Sequence, residues 1–204
     1  NEVLAAGILY LTGWGCNSSF IDPMCGSGTF LIEAAMMALG RVPGYYRNKF
    51  GFMRWLDYDA GLYHGIQDEA IKNERETLSF PIEGSDVNRK TYQIACKNIQ
   101  NAGMEDYIQI QHKAFEEQTP PPAPGVMVMN PPYGERQEVD QLREKYIRIG
   151  DVLKSKYKNY SAFVFTGNLK EAKNIGLRTT FRKELFNGAI DCRLLKYDMY
   201  AGSK

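Results

Sequence analysis

Apolar positions change their period several times along the chain, and each change marks an element. The run Val3 to Leu11 (VLAAGILYL) reads as a short buried helix, and Thr29 to Leu39 (TFLIEAAMMAL) as a helix with a strong apolar face. Between them, Ser18 to Asp22 is a short strand followed by a glycine-rich turn, Pro23 to Gly28. The order strand, turn, helix then repeats. Pro81 to Asp86 reads as a strand and Asn88 to Ala102 as the helix after it, ended by Gly103. Tyr107 to His112 alternates as a third strand, and the proline-rich loop 119–125 leads into Val126-Met127-Val128-Met129, apolar at every position. Such an unbroken run suits a central parallel strand covered on both faces. Asp140 to Tyr157 predicts a helix, Ser161 to Thr166 another central strand, and Leu169 to Ile175 a short helix. The tail alternates twice, Thr179 to Phe186 and Ile190 to Tyr200, about Asn187-Gly188, a hairpin signal. The whole pattern predicts an α/β fold in one domain over residues 1–204. Its core is a doubly wound, seven-stranded, mostly parallel sheet closed by a C-terminal antiparallel hairpin.

One stretch breaks the rhythm. Residues 40–80 read as an insertion between the first strong helix and the second strand, with a charged helix expected over Ile66 to Leu78. The part before that helix interleaves Arg41, Arg47, Lys49 and Arg54 with Tyr45, Tyr46, Phe50, Phe52, Trp55, Tyr58 and Tyr63. Basic and aromatic residues so mixed suit phosphate contact and base stacking. Equally, the rings can cover a sheet edge with solvated charges between them. Lys154, Lys156 and Lys158 read as a solvated helix end, and His64 and His112 have no visible catalytic partner.

Composition narrows the classes. Hydrophobic content of 44% with 24% charged residues is that of an ordinary globular chain. No apolar run approaches the ~20 residues needed to cross a bilayer, and Val3 to Leu11 lacks the basic flank of a signal peptide, so no membrane partner and a cytoplasmic location are expected. Cys16, Cys25, Cys96 and Cys192 are scattered, without the spacing of a metal site, which predicts reduced thiols and no metal. A net charge of +1 is low for a domain that holds nucleic acid unaided. A polyanionic substrate would then be held mainly by something outside these residues. The start at Asn1, already helical in pattern and without Met, fits a piece of a longer protein.

Three motifs carry candidate chemistry, each at the end of a predicted strand. Asp22-Pro23-Met24-Cys25-Gly26-Ser27-Gly28-Thr29 places a Gly-x-Gly turn before a helix, where backbone comes close to a ligand that a Cβ would block. The dinucleotide pattern is incomplete, because position 31 is Leu, but the helix start still favours a ligand carboxylate. A structural tight turn is the plainer reading. Asp86 ends Gly84-Ser85-Asp86, where a carboxylate either accepts from the two ribose hydroxyls of a nucleoside or caps the helix beginning at Asn88. Asn130-Pro131-Pro132-Tyr133 follows the apolar strand. An exocyclic amine on a purine is a poor nucleophile because its lone pair is spread into the ring. The Asn130 side-chain oxygen and the Pro131 carbonyl can accept both amine hydrogens and localise that pair, while the prolines stiffen the loop. Tyr133 can stack on a base drawn out of its surroundings.

The segments FIDPMCGSGTFLIEAA, EGSDVNRKTYQIACKNIQNAG and VMNPPYGER together resemble the RNA methylase family of class I, Rossmann-like methyltransferases. Within it they are most similar to the catalytic domain of bacterial 23S ribosomal RNA guanine-N2 methyltransferases that carry an N-terminal THUMP domain. The resemblance covers nearly the whole chain. It implies S-adenosylmethionine as cofactor, with Asp22, Cys25, Gly26, Ser27 and Gly28 around its methionine moiety and Pro23 and Thr29 completing the turn. It further implies Asp86 at the ribose, Val87 against the adenine, and Asn130, Pro131, Pro132 and Tyr133 at the target base, with Asn130 also against the cofactor. Many relatives have an acidic residue after the third strand to contact the adenine amine. Here the chain runs His112-Lys113-Ala114-Phe115-Glu116, so backbone at Ala114 or Phe115 is the expected substitute. A THUMP-type domain would lie before Asn1.

The resulting expectation is methyl transfer to an exocyclic amine of an RNA base, guanine N2 in large-subunit ribosomal RNA, during rRNA processing. N6-adenine methylation of DNA or RNA, methylation of a protein glutamine amide, and a non-catalytic RNA-binding module remain as alternatives. Lack of the third glycine and of a hydride-transfer acid argues against a nicotinamide enzyme.

Overall fold

A computed structural model describes residues 1–45, 47–134 and 139–200; Tyr46, named among the aromatics above, lies outside them. Seven strands form one sheet in the order β3-β2-β1-β4-β5-β7-β6. They are β1 Ser19–Asp22, β2 Ile82–Asp86, β3 Ile108–His112, β4 Gly125–Met129, β5 Tyr160–Thr166, β6 Phe181–Asn187 and β7 Ile190–Asp198. All neighbours are parallel except at β7, which runs antiparallel to both β5 and β6. The architecture expected from the alternating pattern is the one found.

The helices are α1 Glu2–Thr12, α2 Thr29–Leu39, α3 Ala60–Lys72, α4 Arg89–Asn101, α5 Val139–Lys156 and α6 Leu169–Ala172, the last continued by a 3-10 turn to Ile175. Because strand side chains alternate between faces, the central strands feed two cores. Phe20, Val126, Val128, Phe163, Phe165 and Leu194 pack under α1, α2 and α4. Their neighbours Ile21, Met127, Met129, Ala162, Val164 and Leu195 pack with α5. Burial on both sides is why β4 needs an apolar residue at every position. Gly84 in β2 lets α2 lie close, since a Cβ there would meet Leu31 Cδ1 at 2.4 Å.

Four expectations shift. The charged helix lies at Ala60–Lys72, not 66–78. Asp59 caps it by accepting from the Leu62 N–H at 2.9 Å, and beyond Asn73 the chain leaves to place Glu74 on Arg41. Gly61 and Gly65 had weakened the helical reading of its first half. Asn88, not Asp86, caps α4: its Oδ1 accepts from the N–H groups of Lys90 and Thr91. In the hairpin, Asn187 pairs with Ile190 as the last ladder residue, so Gly188 and Ala189 make the turn, with Gly188 left-handed at φ 62°. Lys156 is more than a solvated helix end, for its ammonium donates to the carbonyls of Glu116 and Gln118 and ties α5 to the loop after β3.

The segment between α2 and β2 has a small centre of its own. Phe52 stands 5.3 Å from Phe50, 5.4 Å from Tyr63 and 5.9 Å from Tyr58, ring centroid to ring centroid. Helix α3 has no buried residue. Among the described residues no helix is long and apolar enough to cross a membrane, and no group of three His, Cys, Asp or Glu is placed to hold a metal ion.

Candidate active site

Strand order reverses between β1 and β4, so the chain leaving these two strands departs in opposite directions and opens a crevice at the sheet's C-terminal edge. The glycine turn follows β1 and the Asn130–Tyr133 lip follows β4. Asp22, Cys25, Gly26, Ser27, Thr29 and Asn130 all line one cavity of about 200 Å³. The two motifs, 108 positions apart at their first residues, therefore open into the same space.

Backbone geometry builds the turn side. The Gly28 N–H donates to the Cys25 carbonyl at 2.8 Å, and the Cys25 N–H to the Ser85 carbonyl at 3.0 Å, which binds the turn to β2. Gly26 and Gly28 have φ of 55° and 82°, a region costly for other residues, and a Cβ on Gly28 would lie 3.4 Å from that of Ala95. Asp86 reaches across from β2: its Oδ2 accepts from the Gly26 N–H at 3.0 Å and its Oδ1 from the Asn88 N–H at 2.8 Å. The Asn98 amide holds the Ser27 carbonyl at 2.9 Å. At Gly28, the N-cap of α2, no side chain takes the helix's first N–H groups.

Asp22 is buried at the base of this turn and accepts from the Met24 N–H at 3.1 Å. Loss of water raises its pKa from 3.8 to about 8, against the Met24 hydrogen bond and with help from the charge on Asp86. A neutral Asp22 is the form that suits a place so near the carboxylate of Asp86. Burial, then the charges on Asp22 and Asp86, push the Cys25 thiol far up, so it is no thiolate nucleophile.

The lip side is held by side chains. The Tyr133 hydroxyl donates to Asn130 Oδ1 at 2.8 Å, and Asn168 Nδ2 donates to the Tyr133 carbonyl at 3.0 Å. Burial foremost, then the Cys192 thiol, keeps the Tyr133 hydroxyl well above its usual range and hence protonated. The ring lies beside Gly167, where a Cβ would stand 3.3 Å from Tyr133 Cδ2. Pro131 is buried, whereas Asn130 and Pro132 are exposed.

Other expected residues stand apart from this cavity. Val87 is 65% exposed at the end of β2, with its carbonyl 3.1 Å from His112 Nε2. The Ala114 N–H already donates to Glu117 Oε2 at 3.2 Å, and Phe115 is buried against Tyr157 at 5.6 Å. Of the four basic residues of the 40–54 segment, Arg41 is paired with Glu74 at 3.0 Å and lies 5.3 Å over Tyr45. Arg47 sits 5.3 Å over Phe50 and donates to the Lys49 carbonyl. Lys49 and Arg54 are exposed. This segment reaches a larger cavity of about 880 Å³ between α1, α2 and α4, lined by Arg47 and Tyr45, which adjoins the first at Ser27 and Thr29.

Sequence reasoning missed Asn168 and Asn187. The first follows β5 and caps α6 by accepting from the Glu171 N–H, a signal visible in Gly167-Asn168-Leu169. The second was seen only as a turn residue, yet it lines the small cavity beside Asn130. The N-terminal turn of α1, with Asn1 and Leu4, also borders that cavity.

Comparison with known proteins agrees with this arrangement. A family model described as UPF0020, RMKL-like, methyltransferase domain, matches residues 1–196. Among curated relatives, slr0064 of Synechocystis sp., which bears an RNA methyltransferase name, is 42% identical over 98% of this chain and 52% of its own length. The ribosomal RNA large subunit methyltransferase K/L of Methylococcus capsulatus is 38% identical over 97% of this chain and 28% of its own. The chain thus spans about half or less of the curated relatives it matches. The structure of SMU.472 complexed with SAH superposes with a TM-score of 0.89 at 28% identity, covering 99% of this chain and 53% of that one. A protein of Listeria monocytogenes described as a predicted N6-adenine-specific DNA methylase superposes at 0.82 with 28% identity, covering 97% and 51%.

Proposed function

We propose, from the premise that this chain belongs to the UPF0020 family of RMKL-like methyltransferase domains, that it transfers a methyl group from S-adenosylmethionine to an exocyclic amine of an RNA base, guanine N2 in large-subunit ribosomal RNA. One observation carries the reading: Asn130 and the glycine turn line a single cavity. A methyl group passes directly from donor to acceptor only where both are held within reach of one another.

The donor's shape suits the turn side. Gly26 and Gly28 leave room for close approach, and the uncapped start of α2 offers N–H groups to a carboxylate. When bound, the cofactor supplies an electrophilic methyl on a sulfonium. Asp22, Cys25, Ser27 and Thr29 border its methionine end, framed by Pro23 and Gly28, and Asp86 accepts from the ribose with the lone pairs that Gly26 and Asn88 leave free. Val87, with backbone at Ala114 and Phe115, is assigned to the adenine end.

On the other side, Asn130 Oδ1 and the Pro131 carbonyl accept the two hydrogens of the amine. The Tyr133 hydroxyl already occupies one lone pair of Oδ1 and fixes the amide with its oxygen toward it. This orientation is set before substrate arrives, so little ordering remains to be done in the transition state. As the nitrogen gains the methyl its proton becomes acidic and leaves to the lip or to solvent, without a dedicated base. The name of the curated K/L relative favours ribosomal RNA as the substrate, and an upstream THUMP-type domain in the same full-length chain is proposed to help hold it.

N6-adenine is the second reading, favoured by the printed description of the Listeria neighbour. A tritiated-methyl assay with the full-length protein on unmodified ribosomal RNA, followed by mass spectrometry of the nucleosides, decides between them. N2-methylguanosine is the expected product. N6-methyladenosine would replace guanine with adenine in the proposal, and no label in any nucleoside would overturn it.

A further inference from the structure

The near-zero net charge hides a strong asymmetry. Residues 151–204 hold 11 Lys and Arg against 5 Asp and Glu, while residues 1–150 hold 14 against 19. The segment 41–54, expected to meet phosphates, holds four basic residues and no acid, but two of its arginines are committed to Glu74 and to ring faces. Lys204 lies outside the described residues, and the other ten cations lie on the chain from the end of α5 through β7.

Of these, Lys170, Lys173, Arg178 and Arg182 are all exposed. Lys170 and Lys173 stand three apart across α6 and its 3-10 extension, hence on neighbouring positions of one face. Lys173 and Arg182 border the same shallow cavity between α6 and β6, and Thr179, next to Arg178, borders it too. Among the described residues none of the four enters an ion pair. The one acid in the stretch, Glu171, is turned inward at 4% exposure and accepts from Asn174.

The ledge is mounted on the lip. Asn168, which grips the Tyr133 carbonyl, also caps α6, so Lys170 follows two residues after the side chain that holds the base-binding loop. A polynucleotide with one base drawn between Asn130 and Tyr133 must continue over the elements around that loop. On the α6 side it meets Lys170 first and then Lys173, with Arg182 level with Val164 of β5 and Arg178 before the start of β6, toward the end of the strand away from the lip. We infer that this ledge binds the phosphodiester backbone of the substrate RNA where it runs from the modified nucleotide down the α6 face, a role that the 41–54 segment was expected to fill. The inference rests on the reading that the substrate is RNA.

Poly(U) tests the ledge apart from the chemistry, because uracil has no exocyclic amine for the lip to hold. Binding of labelled poly(U) to the full-length protein is measured against salt for the wild type and for K170Q/K173Q/R178Q/R182Q. The slope of log affinity against log salt should fall by about 3, at roughly 0.7 per single-strand phosphate contact. SAH affinity by calorimetry should be unchanged. Should the four-site variant misfold, the two-site variant K170Q/K173Q is expected to show about half the effect. An unchanged slope overturns the ledge. So does displacement of poly(U) by poly-L-glutamate at equal charge, which would make the surface a docking face for acidic protein. A wild type that binds poly(U) through the ledge but labels no nucleoside overturns the proposed reaction and leaves the ledge standing.

Discussion

The two sides of the candidate site are made of different material. Backbone conformation builds the turn side: left-handed glycines, amide-to-carbonyl bonds between β1 and β2, and a carboxylate that accepts from Gly26. Side-chain amides and a phenol build the lip side, Asn130, Asn168 and Tyr133, on a frame set by two prolines and Gly134. The difference teaches which functions are separable. Substituting a lip side chain leaves the cofactor's frame in place, whereas changing the turn alters main-chain geometry and takes stability with it.

The sharpest break in that comparison is Asn130→Ala. It removes the oxygen that aims at the amine and nothing that supports the turn, so methyl transfer should drop by about 10²–10³-fold. SAH affinity by calorimetry should stay within about threefold. Loss of both together would mean that the two sides are one unit. Gly28→Ala attacks the other side: a φ of 82° costs a residue with a Cβ about 1–3 kcal/mol. A melting temperature lower by about 2–4 °C per kcal/mol is expected, with weakened SAH binding. Retention of both would show that the turn adapts.

Asn168→Ala should act more gently, on the lip and on the cap of α6. Losing one hydrogen bond to the Tyr133 carbonyl is worth about 1 kcal/mol, so kcat/KM should fall roughly fivefold at unchanged SAH affinity. Asn168→Asp, which cannot donate to that carbonyl when ionised, should not rescue it. A further effect is electrostatic. The native carboxyl of Asp22 holds its proton more tightly than the unfolded one, with a pKa of about 8 against 3.8. The stability it contributes is full below pH 4 and drains away as pH rises toward 8. Thermal melts between pH 5 and 8 should therefore decline less steeply for Asp22→Asn than for the wild type; parallel curves would show that Asp22 is ionised throughout.

The elements around the site were legible because each obeys a local rule. Apolar residues at all positions of β4 predicted a strand covered on both faces, and Asn187-Gly188 predicted the hairpin. Where several local signals compete, prediction slipped. Asp59, Gly61 and Gly65 lie within seven residues, and the α3 boundary moved by six. Nor could the sequence show that Glu74, 33 residues along the chain, comes to lie against Arg41. Asn168 is an ordinary helix cap in sequence, and its grip on Tyr133 spans 35 residues.

By itself the sequence determined the order of strands and helices, the burial of β4 on both faces, and the chemical character of the turn and the lip. All of these depend on neighbours a few positions away. Tertiary structure alone decided that the turn and the lip share a cavity, that Asp86 holds Gly26, and that Arg41 is taken up by Glu74 while Lys170 and Lys173 stay exposed on α6 and its extension. Those are distances between residues far apart in the chain, and only the packing of the folded sheet brings them together or keeps them apart.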